Sequence, residues 1–438
     1  MQRSFPSRVL YLVAFSLFAA AALWQGRQSD AGADANPAPT AGTGEARYWK
    51  GNLHTHSFWS DGDDFPEMIA DWYGRNGYHF LALTDHNILN DGDKWVEITP
   101  AREPALKKYE ARFGAGWIER REKDGKAQVR LKPLAEYRSH LEMPGRFLLV
   151  TGEEVSHSYA KAPIHINALN LRDIIKPADG DSVSQTIAVN HRLIADQAKR
   201  AGWRTLASLN HPNFGWAVKA EDMASIDELR FFEVFNGHPS VRNYGDATHT
   251  GVERVWDIVL ALRLGKLRLP PVYGLATDDA HAYHTNDNTK ATPGRAWIMA
   301  RAPYLTAEAL VRAMEAGDFY ATTGVTLQSI RATKDEYTVK IAPSAGVTYK
   351  TQFIATMRTA PLTSEPKKDA DGKELNVTRT YSPEIGKVVA EVDGTTATYR
   401  PTGQELYVRA KVVSSRPHPR PYEKGDVETA WTQPVTPQ

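Results

Sequence analysis

The chain of 438 residues contains no cysteine and almost no excess of charge, with 53 Lys and Arg residues against 52 Asp and Glu residues. The lack of cysteine excludes disulfides, thiolate metal ligands and a cysteine nucleophile, so His and carboxylate side chains are the remaining ligands for a metal ion. A formal net charge of +1 provides no overall field that would attract nucleic acid or an anionic membrane. We therefore expect no strong nucleic-acid binding, and an acidic substrate would have to be recognised by local groups.

Long hydrophobic runs are scarce as well, and the one at the N-terminus is short. Arg3 and Arg8 precede an apolar run over residues 9–24, and a stretch rich in Ala, Gly and Pro follows it. This pattern is typical of a secretory signal peptide or a short N-terminal anchor. Residues 1–25 are predicted to be that segment and 26–46 a flexible linker. The protein is expected to be exported, periplasmic or extracellular, either cleaved or tethered to the membrane.

Residues 47–324 alternate short apolar runs with helical patterns, which is typical of β/α units around a parallel sheet. Buried strands are predicted at residues 78–83, 147–150, 205–209, 231–235 and 272–276. Helices are predicted after Asp64, from Ser182 or Ser184 to Gly202, and from Thr306 to Gly317. A charged insertion at residues 90–145 interrupts this rhythm and is expected to decorate the loop face of the fold.

The pattern changes after Gly324, where helical periodicity gives way to short strand-like runs. Residues 325–438 are predicted to form a small all-β domain, with a sandwich as the expected architecture. The Asp393-Gly394 pair between two of the runs predicts a two-residue hairpin turn. Residues 359–380, which are rich in Lys and Asp, are predicted to be an exposed loop.

Polar residues that can bind metal ions stand where the predicted strands of the first region end. In a β/α barrel these ends face one side, so such residues converge on one rim. Each short motif alone is more often a surface or buried pair, but six of them together predict a site for Zn²⁺, Mn²⁺ or Fe²⁺. The motifs are His54-Thr55-His56 with Asp61, Thr84-Asp85-His86, Gly152-Glu153-Glu154, His165, Asn210-His211-Pro212, and Asp278-Asp279-Ala280-His281.

This ordered set resembles the motifs of the PHP (polymerase and histidinol phosphatase) family, over about residues 48–325. Residues 319–324 and 430–434 resemble later segments of the branch that includes carbamate-insecticide hydrolases. The resemblance implies an α/β fold, namely a distorted seven-stranded β/α (TIM-like) barrel that carries a trinuclear metal site. The small all-β domain would follow this barrel.

The resemblance also implies a ligand set for two or three divalent metal ions, of Zn, Mn, Fe or Mg. Glu153 would bridge two of them, and Glu153, Asp279 and His281 are the residues to which we assign catalytic roles. Asp61 stands where the family often has His, which makes the third position favour Mg²⁺ or Mn²⁺. His157 is an alternative to His165. The implied groups are His54, His56, Glu153 and Asp279 for one ion, Glu153, His165 and His211 for the second, and Asp61, His86 and His281 for the third.

Further polar residues beside these motifs have two interpretations each. Asp85, Asp278 and Glu154 either orient imidazole ligands or are solvated loop carboxylates. Glu233 has either a structural pairing or a role in the site. The residues that we expect to contact substrate are Asn236, His238, His284 and Arg295.

Three functions are consistent with this sequence. The leading prediction is hydrolysis of a small-molecule phosphoester, in which the metal ions lower the pKa of a bound water to supply hydroxide and neutralise charge on the phosphoryl oxygen. The same site could hydrolyse an amide, carbamate or ester, as the resemblance to the carbamate hydrolase branch implies. The third is a metal-stabilised scaffold whose β domain binds a partner.

Overall fold

The computed structural model describes residues 45–437, so the predictions for the N-terminal segment and most of the linker lie outside the described residues. Up to residue 322 the strands are β1 (Arg47–Asn52), β2 (Phe80–Leu83), β3 (Lys94–Glu97), β4 (Arg120–Lys123), β5 (Lys126–Leu131), β6 (Leu148–Tyr159), β7 (Ala162–Leu169), β8 (Leu206–Leu209), β9 (Phe231–Asn236), β10 (Tyr273–Thr277), β11 (Trp297–Ala302) and β12 (Phe319–Thr322). Beyond it are β13 (Leu327–Ala332), β14 (Tyr337–Ile341), β15 (Tyr349–Met357), β16 (Ser364–Glu365), β17 (Thr380–Tyr381), β18 (Lys387–Asp393), β19 (Thr396–Tyr399), β20 (Glu405–Pro417) and β21 (Val427–Thr432).

All helices of the described residues precede β12. The α-helices are α1 (Pro66–Arg75), α2 (Glu103–Phe113), α3 (Leu134–Leu141), α4 (Val183–Ala201), α5 (Ala220–Ala224), α6 (Val252–Ala261) and α7 (Ala307–Glu315). Short 3₁₀ turns occur at Ala115–Trp117 and Phe214–Trp216, and a π-helical segment at Leu262–Leu267 continues α6. In the part of the chain that the structure describes, none of these helices has the length and apolar character to cross a membrane.

Local signals define the ends of the predicted helices. The Ser182 hydroxyl accepts a hydrogen bond from the Gln185 amide at the start of α4, and Gly202, with φ of 76°, ends that helix. Thr306 caps α7 in the same way. The helix predicted after Asp64 begins at Pro66 with Phe65 as its N-cap residue, because Asp64 bonds the Phe65 amide rather than the helix.

One large sheet of thirteen strands runs through the molecule in the order β10-β9-β8-β7-β6-β2-β1-β11-β12-β21-β20-β15-β18. The pairs β1–β2, β2–β6, β8–β9 and β9–β10 are parallel, as the β/α alternation predicted. Strands β7 and β11 are exceptions, since each pairs antiparallel with both of its neighbours. For β7 the cause is local, because Ala160 and Lys161, with φ of 47° and 73°, form a two-residue turn that folds it back against β6. The fold is therefore mixed α/β.

Strand β10 ends this sheet and makes no ladder with β11 in the described residues, so a closed seven-stranded barrel stays a prediction. The strands nevertheless enclose a shared apolar core. Its larger members are Trp49, Phe80, Val150, Leu169, Leu206, Phe231, Leu275, Ile298 and Phe319, which come from nine different strands.

Residues 325–437 are all-β, but their strands are not a separate sheet. β21 pairs with β12, so β21, β20, β15 and β18 extend the large sheet, while β13, β14 and β19 form a second one. Side chains of the two sheets share one core that includes Tyr337, Phe353 and Val408, which is a sandwich arrangement. A boundary of an independent domain at residue 325 stays a prediction.

The prediction of a hairpin at Asp393-Gly394 is wrong. The turn is present, with φ of 105° at Gly394, but β18 before it pairs with β15 and β19 after it pairs with β14. The chain therefore changes sheets at this turn. The residues Asp393-Gly394 determine that the chain turns here, whereas the partners of β18 and β19 are determined by distant strands.

The insertion at residues 90–145 forms a layer of its own, with α2, α3 and the three-stranded sheet β3-β5-β4. A buried carboxylate anchors it to α1, because Glu67 accepts hydrogen bonds from the Tyr109 hydroxyl and the Trp117 indole. Burial raises the pKa of Glu67 to about 7, against the lowering effect of these donors. The insertion is thus anchored by a buried carboxyl group that exchanges its proton near neutral pH.

A buried ion pair joins the two halves of the molecule, and we predict that breaking it destabilises the fold. Asp257 of α6 accepts bonds from Arg409 Nε and Nη2 of β20 at 2.8 and 2.7 Å, and both side chains are buried. Asp257→Ala should lower the free energy of unfolding by about 3–5 kcal/mol, because the buried guanidinium loses both close hydrogen bonds and keeps only Glu253, at 3.9 Å, as a counter-charge. Denaturant titration measures it, and Asp196→Ala in the exposed pair with Lys199 is the control. A loss no larger than in the control would contradict this role.

A second prediction concerns pH and Glu67. The folded protein retains a proton that the unfolded chain releases near pH 4.5, so the contribution of Glu67 to stability is full below that pH and is lost as the pH rises through about 7. Glu67→Gln keeps an acceptor oxygen and does not ionise. Between pH 5 and 8 the variant should therefore gain on the order of 3 kcal/mol relative to the parent. Measuring the free energy of unfolding of parent and variant at both pH values tests this. Glu110→Gln, on the exposed surface of the same insertion, is the control. An equal change of stability with pH in the parent and in Glu67→Gln would refute the prediction.

Candidate metal centre

The site is built at the ends of four core strands. His54 and His56 follow β1, His86 follows β2, His211 follows β8, and Asp279 and His281 follow β10. Backbone pairing holds these segments in register after the strands end, with isolated bridges between Thr55 and Ala280 and between His86 and Glu154. Parallel strands thus present their terminal side chains to a common space, as the sequence predicted.

Nine side chains converge there, six histidines and three carboxylates. They form four overlapping groups, and within each group the ligand atoms lie within 4.8 Å of one another. The groups are His56, Asp61, His86 and His281; His54, His211 and Asp279; His54, His56 and Glu154; and His86, Glu154 and His165.

Glu154 lies at the centre of these groups. Its Oε1 is 3.3 Å from His54 Nε2, 3.1 Å from His165 Nδ1 and 3.3 Å from His211 Nε2. Its Oε2 is 2.7 Å from His86 Nδ1. One carboxylate therefore bridges ligands that come from four separate segments of the chain.

Asp279 and Asp61 complete the acidic part of the centre. Asp279 Oδ1 lies 3.2 Å from the Nε2 atoms of both His54 and His56. Asp61 Oδ1 lies 3.4 Å from His281 Nε2, and its Oδ2 lies 3.6 Å from His86 Nε2. Asp61 is half-exposed, whereas Asp279 is buried, so the Asp61 side is the open side of the centre.

The structure does not bring Glu153 into the centre and places Glu154 there instead. β6 is extended, so neighbouring residues point to opposite faces. Val150 packs in the interior core and Leu149 packs outside against helices, so Glu154 shares the interior face of Val150. Glu153 points the other way and accepts a hydrogen bond from the Ile175 amide at 2.5 Å.

The donor set fits divalent cations. His54 and His56 are fully buried, and their Nε2 atoms make no hydrogen bond within the described residues. Two buried imidazole nitrogens that face one carboxylate oxygen without a bond are the arrangement that a cation would satisfy. Mixed imidazole and carboxylate donors suit Zn²⁺, Mn²⁺ and Fe²⁺, and the half-exposed Asp61 adds an oxygen ligand that Mg²⁺ also accepts.

The neighbouring imidazoles favour the ionised form of both buried carboxylates. Burial alone would raise the pKa of Glu154, but the neighbouring imidazoles of His165, His54 and His211 hold it well below the usual range. Burial likewise opposes ionisation of Asp279, and His54, His56 and His281 hold its pKa well below the usual range. Anionic oxygens are therefore available to a cation throughout the neutral pH range.

Hydrogen bonds behind the centre determine which imidazole nitrogen faces it. His54 Nδ1 lies 2.7 Å from Glu233 Oε1, so Nδ1–H donates to that carboxylate and Nε2 remains free. His281 Nδ1 lies 2.9 Å from the Asp279 carbonyl oxygen, which leaves its Nε2 toward Asp61. Of the two roles considered for Glu233, the geometry therefore favours the one in the site. Glu233 also accepts a hydrogen bond from the hydroxyl of Thr277 on β10.

Asp85 and Asp278 take neither of the roles considered for them. Both are fully buried and bond to other groups than the imidazoles. Asp85 accepts the Ser57 amide and hydroxyl, each at 2.7 Å, and so shapes the loop after His56. Asp278 accepts three successive amides from residue 294 to 296 and the Tyr73 hydroxyl. They fix the backbone that carries the ligands.

The four residues expected to contact substrate are in different places. Asn236 is fully buried and donates to Asp279 Oδ2 and Glu233 Oε2, so it positions a ligand. His238 is half-buried with its ring 5.4 Å from that of His281. His284 contacts Asp63, Asp64 and Lys108 rather than the centre. Arg295 is buried and donates to the carbonyl oxygens of Gly237 and Asn288.

Two ligands have a backbone conformation that L-residues rarely adopt. The φ angles are 25° at His211 and 48° at Asp279. Such strain persists where the surroundings over-determine it, and it is concentrated at functional sites. Here the Glu233 carboxylate holds the His211 amide at 2.7 Å, so one acidic side chain supports two of the ligands.

No protein-family model and no curated protein matches the chain. Among solved structures, it is similar to a two-domain protein from Bacteroides vulgatus that contains a predicted PHP-like metal-dependent phosphoesterase, at 14% identity and a TM-score of 0.38, over 84% of this chain and 90% of that one. It is also similar to an amidohydrolase from Chromobacterium violaceum, at 16% identity and a TM-score of 0.27, over 53% of this chain and 88% of that one. These likenesses are too distant to establish a family or an activity.

The neighbouring glutamates provide a matched test of the centre. Glu154→Gln should remove at least one bound divalent ion per chain, because Glu154 belongs to two of the ligand groups. Glu153→Gln should retain the metal content of the parent, since its side chain bonds the Ile175 amide outside the centre. Elemental analysis of the full-length proteins after dialysis measures both. Loss of metal from Glu153→Gln alone would refute the placement.

Proposed function

We propose that this protein is a metal-dependent hydrolase that cleaves a small-molecule phosphoester. The observation that carries the proposal is the convergence of six histidines and three carboxylates into adjoining groups with shared members. Shared ligands bring cations close together, and adjacent cations suit a phosphoryl group, whose several oxygens carry charge.

Three groups of ligands are proposed. His54, His56, Glu154 and Asp279 would hold one ion, and Glu154 with His165 and His211 a second. Asp61, His86 and His281 would hold a third. Divalent ions bound there would acidify a water and neutralise negative charge that develops on the substrate oxygen.

The protein's own groups organise this chemistry. Glu233 holds His54 in the tautomer that presents Nε2, and Asn236 fixes Asp279 by a hydrogen bond of 3.1 Å to Oδ2. Phe214 packs 5.2 Å from the ring of His211 and covers one side of the centre. Asp61 is half-exposed, so substrate would approach from its side.

A second candidate is hydrolysis of an amide, carbamate or ester at the same site. The observation that favours it is electrostatic. Among the described residues, no Lys or Arg side chain forms an ion pair with Asp61, Glu154 or Asp279, and the aromatic ring of Phe214 lies beside the ligands. A neutral acyl substrate would need no basic side chain, whereas a phosphate monoester would depend on the cations alone.

Two further proposals come from the sequence. We propose export to the periplasm or cell exterior, directed or anchored by the N-terminal segment. The alternative of a metal-stabilised scaffold predicts bound ions without turnover, so one assay separates it from the hydrolases.

The test uses the full-length protein loaded with Mn²⁺ or Zn²⁺. Its turnover is measured on p-nitrophenyl phosphate, bis-p-nitrophenyl phosphate and a naphthyl carbamate. The double variant His54→Ala, Asp279→Ala should lose turnover by at least roughly a thousand-fold, since cations supply several kcal/mol of transition-state stabilisation.

The preferred substrate distinguishes the two hydrolase functions, and Glu153→Gln is the control that should keep the activity of the parent. Metal-loaded parent protein that cleaves none of the three substrates would argue against both hydrolases and for the scaffold.

A further inference from the structure

His238 lies at the metal centre without belonging to its ligand groups. It is two residues beyond the end of β9, and its ring meets that of His281 edge-on, with 5.4 Å between centroids. Phe214 lies on another side, 6.5 Å away. The side chain is half-buried. The imidazole of His238 thus lies beside the ligands, and its own nitrogen atoms are not needed to bind the cations.

The backbone of its own loop determines where the proton of this ring resides. The Ser240 amide donates to His238 Nδ1 at 3.2 Å. A nitrogen that accepts an N–H bond carries no proton, so the neutral ring carries its proton on Nε2. The His238 amide in turn donates to Asn236 Oδ1 at 2.8 Å, which ties the loop to the residue that positions Asp279.

The Nε2–H group has no hydrogen-bond partner among the described residues. The ring that carries it lies beside the imidazole of His281 and the ring of Phe214. Because the residue is only half-buried, this donor is open to solvent and can bond to a water or to a substrate atom. The loop therefore maintains a neutral donor, with fixed orientation, beside the cation-binding groups.

We propose that His238 is a substrate-binding residue that donates its Nε2–H to an oxygen of the scissile group, a phosphoryl oxygen for the leading function. This inference rests on the proposed function and specifies how the substrate is held. Donors that are oriented before the reaction stabilise oxygen atoms on which negative charge develops. Because no Lys or Arg of the described residues pairs with the acidic ligands, a neutral donor complements the cations.

The tautomer is tested without any assay of activity. Full-length protein with ¹⁵N-labelled histidine rings is compared with His238→Phe, which identifies the resonances of His238. We expect Nδ1 to have the shift of an unprotonated acceptor and Nε2 to correlate with a bound proton. A proton on Nδ1 would overturn the proposal whatever the activity.

Kinetics test the contact with substrate. His238→Phe keeps the aromatic packing and should lower kcat/KM by about 10- to 100-fold, the worth of a hydrogen bond to a charged group, with metal content unchanged. His238→Gln supplies an N–H donor and should recover a part of that loss. His249→Phe is the matched control, because His249 stacks on Trp216 at 3.9 Å and pairs with Asp246. Equal kcat/KM in the parent and His238→Phe would overturn the proposal.

Failure of the proposed function gives a different result. A parent that binds metal but cleaves no substrate contradicts the hydrolase alone. The affinity of the Mn²⁺-loaded proteins for inorganic phosphate, from calorimetry, then decides the role of His238. We expect roughly ten-fold weaker binding by His238→Phe, from one lost hydrogen bond. Unchanged affinity would overturn the proposal.

Discussion

The burial of two ionised carboxylates among imidazoles is the constraint on which the rest of the structure depends. Glu154 and Asp279 are buried, and an isolated charge is very unfavourable at a buried position. Their negative charge needs positive charge nearby, and six imidazoles alone could provide it only if several were protonated at contact distances from one another. Cations meet the same need with neutral imidazole ligands. Bound metal ions therefore account best for this combination of buried carboxylates and imidazoles.

This constraint accounts for the polar residues that surround the ligands. Each ligand side chain has to be held in one orientation so that its donor atom faces the centre. Glu233 serves two of them, through His54 Nδ1 and the His211 amide. Asp278 orients the backbone instead, since its carboxylate accepts hydrogen bonds from three amides of a neighbouring loop. Buried acids around such a centre are thus structural supports of its geometry, and their mutation would act through the ligands.

Much of this arrangement could be predicted from the sequence, and the failures have physical causes. The histidines, Asp61 and Asp279 could be located because strand ends in a β/α fold converge. The choice of Glu153 over Glu154 failed because it rested on motif likeness, whereas the alternation of strand faces from Leu149 and Val150 indicates Glu154. The antiparallel β7 depends on a turn at Ala160-Lys161 that contains no glycine. The sheet change at Asp393-Gly394 was beyond local reasoning, since the residues that pair with the two strands lie 32 to 62 residues earlier in the chain.

The position of β21 has a consequence for how the protein is made. This strand, the last in the described chain, lies between β12 and β20 in the interior of the large sheet. During synthesis on the ribosome, β12 emerges about a hundred residues before its neighbour, and its edge is unpaired until β21 follows. Such distant pairing slows folding and exposes an edge on which nascent chains can aggregate. An intermediate with a finished ligand rim and an open sheet edge would thus be a natural target for chaperones.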